Sequence, residues 1–179
     1  MTMSDQQRVS IVMTVRNDAV GCAVTLDSVI AQTRLPDEMI VVDGGSCDAT
    51  IALIEEYAQR HPWLRLIRAD GVNIAQGRNI GIVAARGDVI ATSDAGCRAE
   101  PQWLERLVAP LESGEAQVAA GFYQPDCDSP FEEVVAALCF PALEKINPDT
   151  FLPSSRSVAF LKQAWQAVGG YPEDRKSVV

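Results

Sequence analysis

Three polar clusters in this sequence each follow a run of apolar residues: Arg16-Asn17-Asp18, Asp43-Gly44-Gly45-Ser46 and Asp94-Ala95-Gly96. The second is the most informative. Glycine tolerates positive φ and lets a backbone approach closely, so a flat base or ribose can lie against that loop while Asp43 accepts a base N–H. Asp94 places a carboxylate where a diphosphate would bring concentrated negative charge. That placement makes sense if a divalent cation bridges the two, or if Asp94 holds a ribose hydroxyl instead. Arg78-Asn79 offers a guanidinium and an amide for direct phosphate contacts. Each piece has a plainer reading: a strand-terminal Asp is often an N-cap or turn residue, and Arg78 suits a solvated helix face. Their gathering on one edge of a sheet is the stronger signal.

That gathering depends on the elements between the clusters. Val9–Val15 is a β-rich run, and apolar residues then recur at Val20, Ala23, Leu26 and Ile30 with the spacing of one helix face. Pro36-Asp37 breaks that helix, and Met39-Ile40-Val41-Val42 reads as a strand buried on both faces. Asp48 is the expected N-cap of the next helix, whose inner face is Ile51, Ile54 and Ala58. A third strand is predicted over Leu64–Ala69, a helix over Asn73–Arg86 with weak propensity at Gly77 and Gly81, and a fourth strand over Val89–Ser93. Pro101 suits a first helical turn, before the amphipathic series Trp103, Leu104, Leu107, Val108 and Leu111. Strand and helix thus alternate, predicting an α/β protein with a mostly parallel sheet covered by helices on both faces. Ligands of such sheets bind outside the carboxyl ends of the strands, where all three clusters stand. After Gly121 the rhythm changes. Gln124–Pro130 reads as a polar loop, Phe131–Leu143 as a helix, Asn147–Ser155 as a loop, Ser157–Phe160 as a strand and Leu161–Val168 as a helix before Gly169-Gly170. This portion is expected to be a smaller second half added to the sheet, within a single domain spanning 1–179.

Composition narrows the function classes. A net charge of −9 argues against a nucleic acid polymer as partner, since such partners need a broad cationic surface. It leaves a nucleotide open, which one or two cations and backbone N–H groups can hold. The five cysteines include no C-x-x-C pair, so neither a zinc site nor a disulfide framework is expected, and reduced thiols are. The one histidine, His61, precedes Pro62 at a predicted helix end and does not read as a catalytic base. No G-x-G-x-x-G follows the first strand, and neither a P-loop nor a G-x-S-x-G occurs, which disfavours dinucleotide oxidoreductases, P-loop hydrolases and Ser-His hydrolases. Met1–Gln7 is polar, without the apolar stretch of a signal peptide, and no apolar run is long enough to span a bilayer. A cytoplasmic protein is expected, with peripheral association at the inner membrane face left open.

Taken together, these residues resemble the inverting family 2 glycosyltransferases of the GT-A fold. Val9–Asp18 is similar to that family's opening strand and its polar end, and Leu26–Thr33 to its first helix. Asp43-Gly44-Gly45-Ser46-Cys47-Asp48 resembles the uridine-binding D-D-G-S-x-D loop, with Gly44 in place of the second Asp. Gly77-Arg78-Asn79-Ile80-Gly81 resembles the A-R-N-x-G segment, and Trp103-Leu104 after Asp94 also matches. Ser157–Phe160 and Gly169-Gly170-Tyr171-Pro172-Glu173 resemble the acceptor-side strand and G-G-Y turn. The resemblance implies a nucleotide-sugar-binding half over about 8–98 and a partial acceptor-side half over about 99–179. It implies transfer of a sugar, with inversion, from a nucleotide-diphosphate donor to a hydroxyl of a sugar, lipid or polysaccharide acceptor. A carboxylate base and Mg²⁺ or Mn²⁺ would assist. Carried over, the donor nucleotide would meet Val15, Arg16, Asn17, Asp43, Gly44, Arg78 and Asp94, with Asp94 as the metal ligand.

Two departures follow. Gly96 stands at the second acidic position of the family's D-x-D, so the usual direct metal ligand is missing. The family's base normally lies several residues beyond the G-G-Y turn, where this chain has only Glu173-Asp174 and five further residues. Asp174 is the candidate base, and a C-terminally truncated chain is implied. Two alternatives are a nucleotide-sugar-binding module without catalysis and a sugar-phosphate nucleotidyltransferase. The latter usually carries a basic, glycine-rich loop after its first strand, and Arg16-Asn17-Asp18 is not one.

Overall fold

The structure, a computed structural model, describes residues 7–127, 129–140, 143–147 and 150–174. The polar start, the tail after Asp174 and positions 141–142 in the expected Phe131–Leu143 helix lie outside the described residues. Six strands form one sheet in the order β3-β2-β1-β4-β6-β5. These are β1 Val9–Val15, β2 Glu38–Asp43, β3 Leu64–Arg68, β4 Val89–Asp94, β5 Val118–Ala120 and β6 Val158–Leu161. The first four run parallel, while β6 pairs antiparallel with both β4 and β5.

Handedness explains the layering. Stepping from β1 to β2 to β3 in one direction puts the right-handed crossovers α1 (Ala19–Ile30) and α2 (Thr50–Arg60) on one face. The chain then returns from β3 past β1 to β4, so α3 (Ile74–Ala84) must lie on the other. The cores agree. Ile11 and Met13 pack with Leu26, Ile54 and the α4 (Trp103–Glu112) residues Leu104, Val108 and Leu111. Val12, Ile40 and Val42 pack on the opposite face with Ile82, Phe160 and Trp165, the last from α6 (Lys162–Ala167). The three-layer arrangement predicted from the alternating elements is therefore present.

Several local expectations change. Val20 is 80% exposed; the buried face of α1 is instead Cys22, Leu26 and Val29. The N-cap position of α2 is Ala49, although the Asp48 Oδ1 still accepts a hydrogen bond from the Thr50 N–H at 3.0 Å. β3 ends at Arg68, Leu161 belongs to β6, and α5 occupies Pro130–Cys139. Pro101 precedes α4 in a turn. Asn73 does not lie within α3 but caps it, in a reciprocal pair with Gln76. His61 ends α2 and packs 5.4 Å from the Trp63 ring. Cys22, Cys47, Cys97 and Cys139 are free thiols. No helix among the described residues is long and apolar enough to cross a membrane.

Gly77 and Gly81 answer a specific packing need. A Cβ on Gly81 would lie 2.5 Å from Val12 Cγ1, and one on Gly77 would lie 2.9 Å from Thr14 Cγ2. Their spacing of four residues puts both on one face of α3, so the helix backbone lies directly on β1. This close approach brings Arg78, the residue next to Gly77, over the strand ends.

Candidate functional site at the carboxyl edge of the sheet

The strand order reverses at β1, and the neighbours of its last residues are the two acids singled out from sequence. Asp43 of β2 pairs with Val15, and Asp94 of β4 pairs with Thr14. They flank one strand, about 10 Å apart by two strand spacings. This is the topological switch point, where open α/β sheets leave a crevice for ligand.

The β1 and β2 loops are laced together. Asn17 adopts a left-handed backbone with φ 53°, a conformation that asparagine tolerates better than most residues. Its N–H donates to Ser46 Oγ at 2.8 Å, and its Oδ1 accepts from the Cys47 N–H at 2.8 Å. Asp18 caps α1 by accepting from the Gly21 N–H at 2.9 Å. Arg16, which precedes them, is exposed, and its side chain has no hydrogen bond or ion pair among the described residues.

Asp43 has no exposed surface. Its Oδ1 accepts from the N–H groups of Gly45 at 3.0 Å and Ser46 at 2.8 Å, and its Oδ2 from Ser46 Oγ at 2.5 Å. Gly45 turns with φ 97°. The carboxylate thus folds its own loop, using three of about four lone-pair sites, and is not presented to solvent as a ready acceptor. Gly44 is buried beside it, its N–H donating to the Val15 carbonyl at 2.9 Å.

Arg78 and Asp94 form the charged centre. Arg78 Nη2 lies 2.5 Å from Asp94 Oδ1, with side-chain exposures of 8% and 31%. The Arg78 guanidinium also lies 5.7 Å from the centre of the Tyr171 ring, and its buried Nε has no hydrogen-bond partner among the described residues. Asn79 holds the turn that carries this ring: its Nδ2 donates to the Tyr171 carbonyl and to Glu173 Oε1, and its Oδ1 accepts from the Tyr171 N–H. Asn73, at the carboxyl-edge end of α3, donates to the Glu173 carbonyl at 3.1 Å. Glu173 is therefore drawn to this edge, and Asp174 follows it, exposed.

Arg156 is the residue that sequence reasoning missed. Its Nε lies 3.8 Å from Asp94 Oδ2. Thr92 of β4 faces Val158 of the antiparallel β6, and that register continued by two residues sets Asp94 opposite Arg156. No spacing in the sequence announces this, because the direction and register of β6 are tertiary facts. Trp103, whose Nε1 donates to Ser157 Oγ at 2.9 Å, fixes the segment beside it.

A sequence profile of glycosyl transferase family 2 matches residues 10–153. The chain belongs to that family. Among relatives of this family 2 chain, the uncharacterized glycosyltransferase EpsJ of Bacillus subtilis is 32% identical over 104 residues, covering 58% of the chain and 30% of EpsJ. The succinoglycan biosynthesis protein ExoO of Rhizobium meliloti is 37% identical over 112 residues, covering 62% of the chain and 32% of ExoO. Among solved structures, the mannosyltransferase PcManGT from Pyrobaculum calidifontis, in complex with GDP-Man and Mn²⁺, superposes with a TM-score of 0.75 at 21% identity. That match covers 96% of the chain and 49% of PcManGT. Staphylococcus aureus TarS 1–349 in complex with UDP gives 0.70 at 18% identity, over 96% of the chain and 52% of that TarS 1–349 chain. These likenesses establish the GT-A fold. The chain spans about a third of those curated relatives and about half of those solved chains.

The donor set of this family 2 chain does not fit the divalent ion expected at Asp94. One carboxylate oxygen receives Arg78 and the other faces Arg156. Position 96 offers no side-chain ligand, and among the described residues no group of three or more His, Cys, Asp and Glu could hold a metal. A hard cation needs several free oxygens, and here two guanidiniums already compete for the one carboxylate.

Proposed function

We propose that this chain binds a nucleotide-diphosphate sugar at the carboxyl edge of the sheet and serves inverting transfer of the sugar to an acceptor hydroxyl. The observation that carries the reading is the convergence on the end of β1 of the Asp43 loop on one side and the Arg78–Asp94 pair on the other. Family membership supports it, as do the fold's likeness to a GDP-Man complex and a UDP complex.

In this reading the nucleoside lies over Val15, Arg16, Asn17 and Gly44. Asp43 acts through the loop it folds, and the diphosphate lies towards Arg78 and Asp94. Transfer forms a bond from the acceptor oxygen to the anomeric carbon, breaks the bond from that carbon to the diphosphate oxygen, and sends the electron pair out with the diphosphate. The hydroxyl proton passes to a carboxylate base, for which Asp174 is the candidate in this chain. Attack from the face opposite the leaving group inverts the anomeric centre. A pre-positioned guanidinium answers the charge gathering on the leaving oxygens without reorganising at the moment of reaction.

Calorimetric titration with UDP and with GDP tests the donor site. Binding of at least one is expected, weakened roughly 10-fold in Arg16→Ala, as for loss of one charge-assisted contact. Arg16 makes no side-chain hydrogen bond or ion pair among the described residues, so this variant should keep the wild-type unfolding midpoint. Absence of binding for every nucleoside diphosphate tried would refute the reading.

A further inference from the structure

Asp94 stands between two cations of different character. Arg78 approaches from α3, is almost wholly buried, and is committed to Oδ1 at 2.5 Å. Arg156 approaches from the β6 side, is 47% exposed, and reaches Oδ2 only through Nε at 3.8 Å. That is longer than a hydrogen bond, so the guanidinium keeps its donors available. Its carbon lies 5.3 Å from the centre of the Tyr123 ring, a cation–π contact that holds it against an aromatic face. Two guanidiniums against one carboxylate leave the trio with an excess positive charge. The backbone turns away at Gly96 with φ 84°, and a Cβ built there would meet no heavy atom within 4 Å. Where the family's second carboxylate would stand, a side chain would meet open space, and the neighbouring Asp94 already faces Arg156.

We propose that Arg156 takes the place of the divalent ion, so that this chain binds the diphosphate of its donor without a metal. The inference rests on the donor-site reading above and assigns Arg156 to the diphosphate. A guanidinium presents five N–H donors in a planar fork that matches phosphate oxygens in pairs. Asp94 then orients Arg78 and Arg156 and holds no ion. Arg98 is paired with Asp126 at 3.3 Å and Arg16 stands on the β1 loop, whereas Arg156 is the exposed cation that faces Asp94 itself.

The test is calorimetric titration of the whole chain with UDP and GDP, once in EDTA and once with Mn²⁺. The wild-type dissociation constant is expected to agree within about 3-fold between the two conditions. Arg156→Ala is expected to weaken binding in EDTA by roughly 10-fold or more, as for a lost charge-assisted contact. Arg156→Lys, which keeps the charge and loses the fork, is expected to fall between. Binding that requires Mn²⁺ overturns the proposal and leaves the donor site standing. Binding in EDTA that is unchanged in Arg156→Ala also overturns it, because the diphosphate then has another anchor. No binding in either condition refutes the donor-site reading itself, and this proposal with it.

Discussion

Gly81→Ala is a substitution that helix propensity alone would call favourable, by about 1 kcal/mol in a helix interior. The packing reverses that sign. The new Cβ would sit 2.5 Å from Val12 Cγ1 and 3.1 Å from Val42 Cγ2, against an optimum of about 3.5–4.0 Å for two carbons. The helix or the strand must yield by about 1 Å at the first contact. Val12 is fully buried and β-branched, so it has no slack rotamer to retreat into. Overpacking of this kind costs about 1–3 kcal/mol. With two neighbours crowded, the upper end applies, and the net loss is about 2 kcal/mol. Urea unfolding followed by tryptophan fluorescence should show the midpoint falling by about 1 M, for a slope of about 2 kcal/mol/M. Gly77→Ala, with its closest approach at 2.9 Å to Thr14 Cγ2, should lose less. A midpoint for Gly81→Ala equal to or above wild type would refute the claim that α3 needs glycine to lie on β1. Because Arg78 rides on the same helix, the variant should also bind nucleoside diphosphate more weakly than the stability loss explains.

Glu38 anchors the opposite, amino edge of the sheet. Its Oε1 accepts from Ser10 Oγ at 2.7 Å and from the Arg86 N–H, and its Oε2 accepts from Arg65 Nη2 at 3.0 Å. Glu38→Ala strands these donors, and an expected loss of about 2–4 kcal/mol can be read from the same urea curves. Burial works to raise this carboxyl, but the Arg86 N–H, the Ser10 hydroxyl and Arg65 outweigh it and hold it below the usual carboxylate range. The stabilisation is therefore complete at neutral pH and is lost as pH falls through that lowered value. Thermal midpoints across acid pH should fall less steeply in Glu38→Gln. Burial first, then the charges of Asp18 and Asp43, push the Cys22 thiol up to about 12. An aromatic disulfide reagent should label the exposed Cys47 and Cys139 in the native protein and reach Cys22 only on unfolding; native labelling of Cys22 would contradict its burial.

What could be read from sequence divides along physical lines. The strands ending at Val15, Asp43 and Asp94 were legible because buried parallel strands are apolar runs and their polar ends stand out. Handed crossovers then fix where those ends must gather. The antiparallel β6 was visible as a strand, but neither its direction nor its register was, so Arg156 could not be matched to Asp94. The short β5, half open to solvent, has no pattern to find. Val20 shows the limit of periodicity: it fits the spacing of Leu26 within tolerance, yet the helix rotates to bury Cys22 and Val29 instead. Gly77 and Gly81 read as weak helix formers because propensity is local, whereas their purpose lies across the helix–strand contact.

The same division separates the residue types at the site from their tasks. Asp43 and Asp94 both look like ligand-binding acids in the sequence, and in the fold both are already engaged. One receives three hydrogen bonds from its own loop, and the other faces Arg78 and Arg156. This resolves the difficulty of putting carboxylates at the proposed diphosphate site, in a chain of net charge −9. A carboxylate neutralised by internal donors does not repel an anion as a free one would, and it holds its donors in place before the ligand arrives. Among the described residues, the cations left with donors to spare at this edge are Arg16 over the first loop and the outer face of Arg156. Those two residues, not the acids, are where substitutions should change nucleotide affinity without changing the stability of the fold.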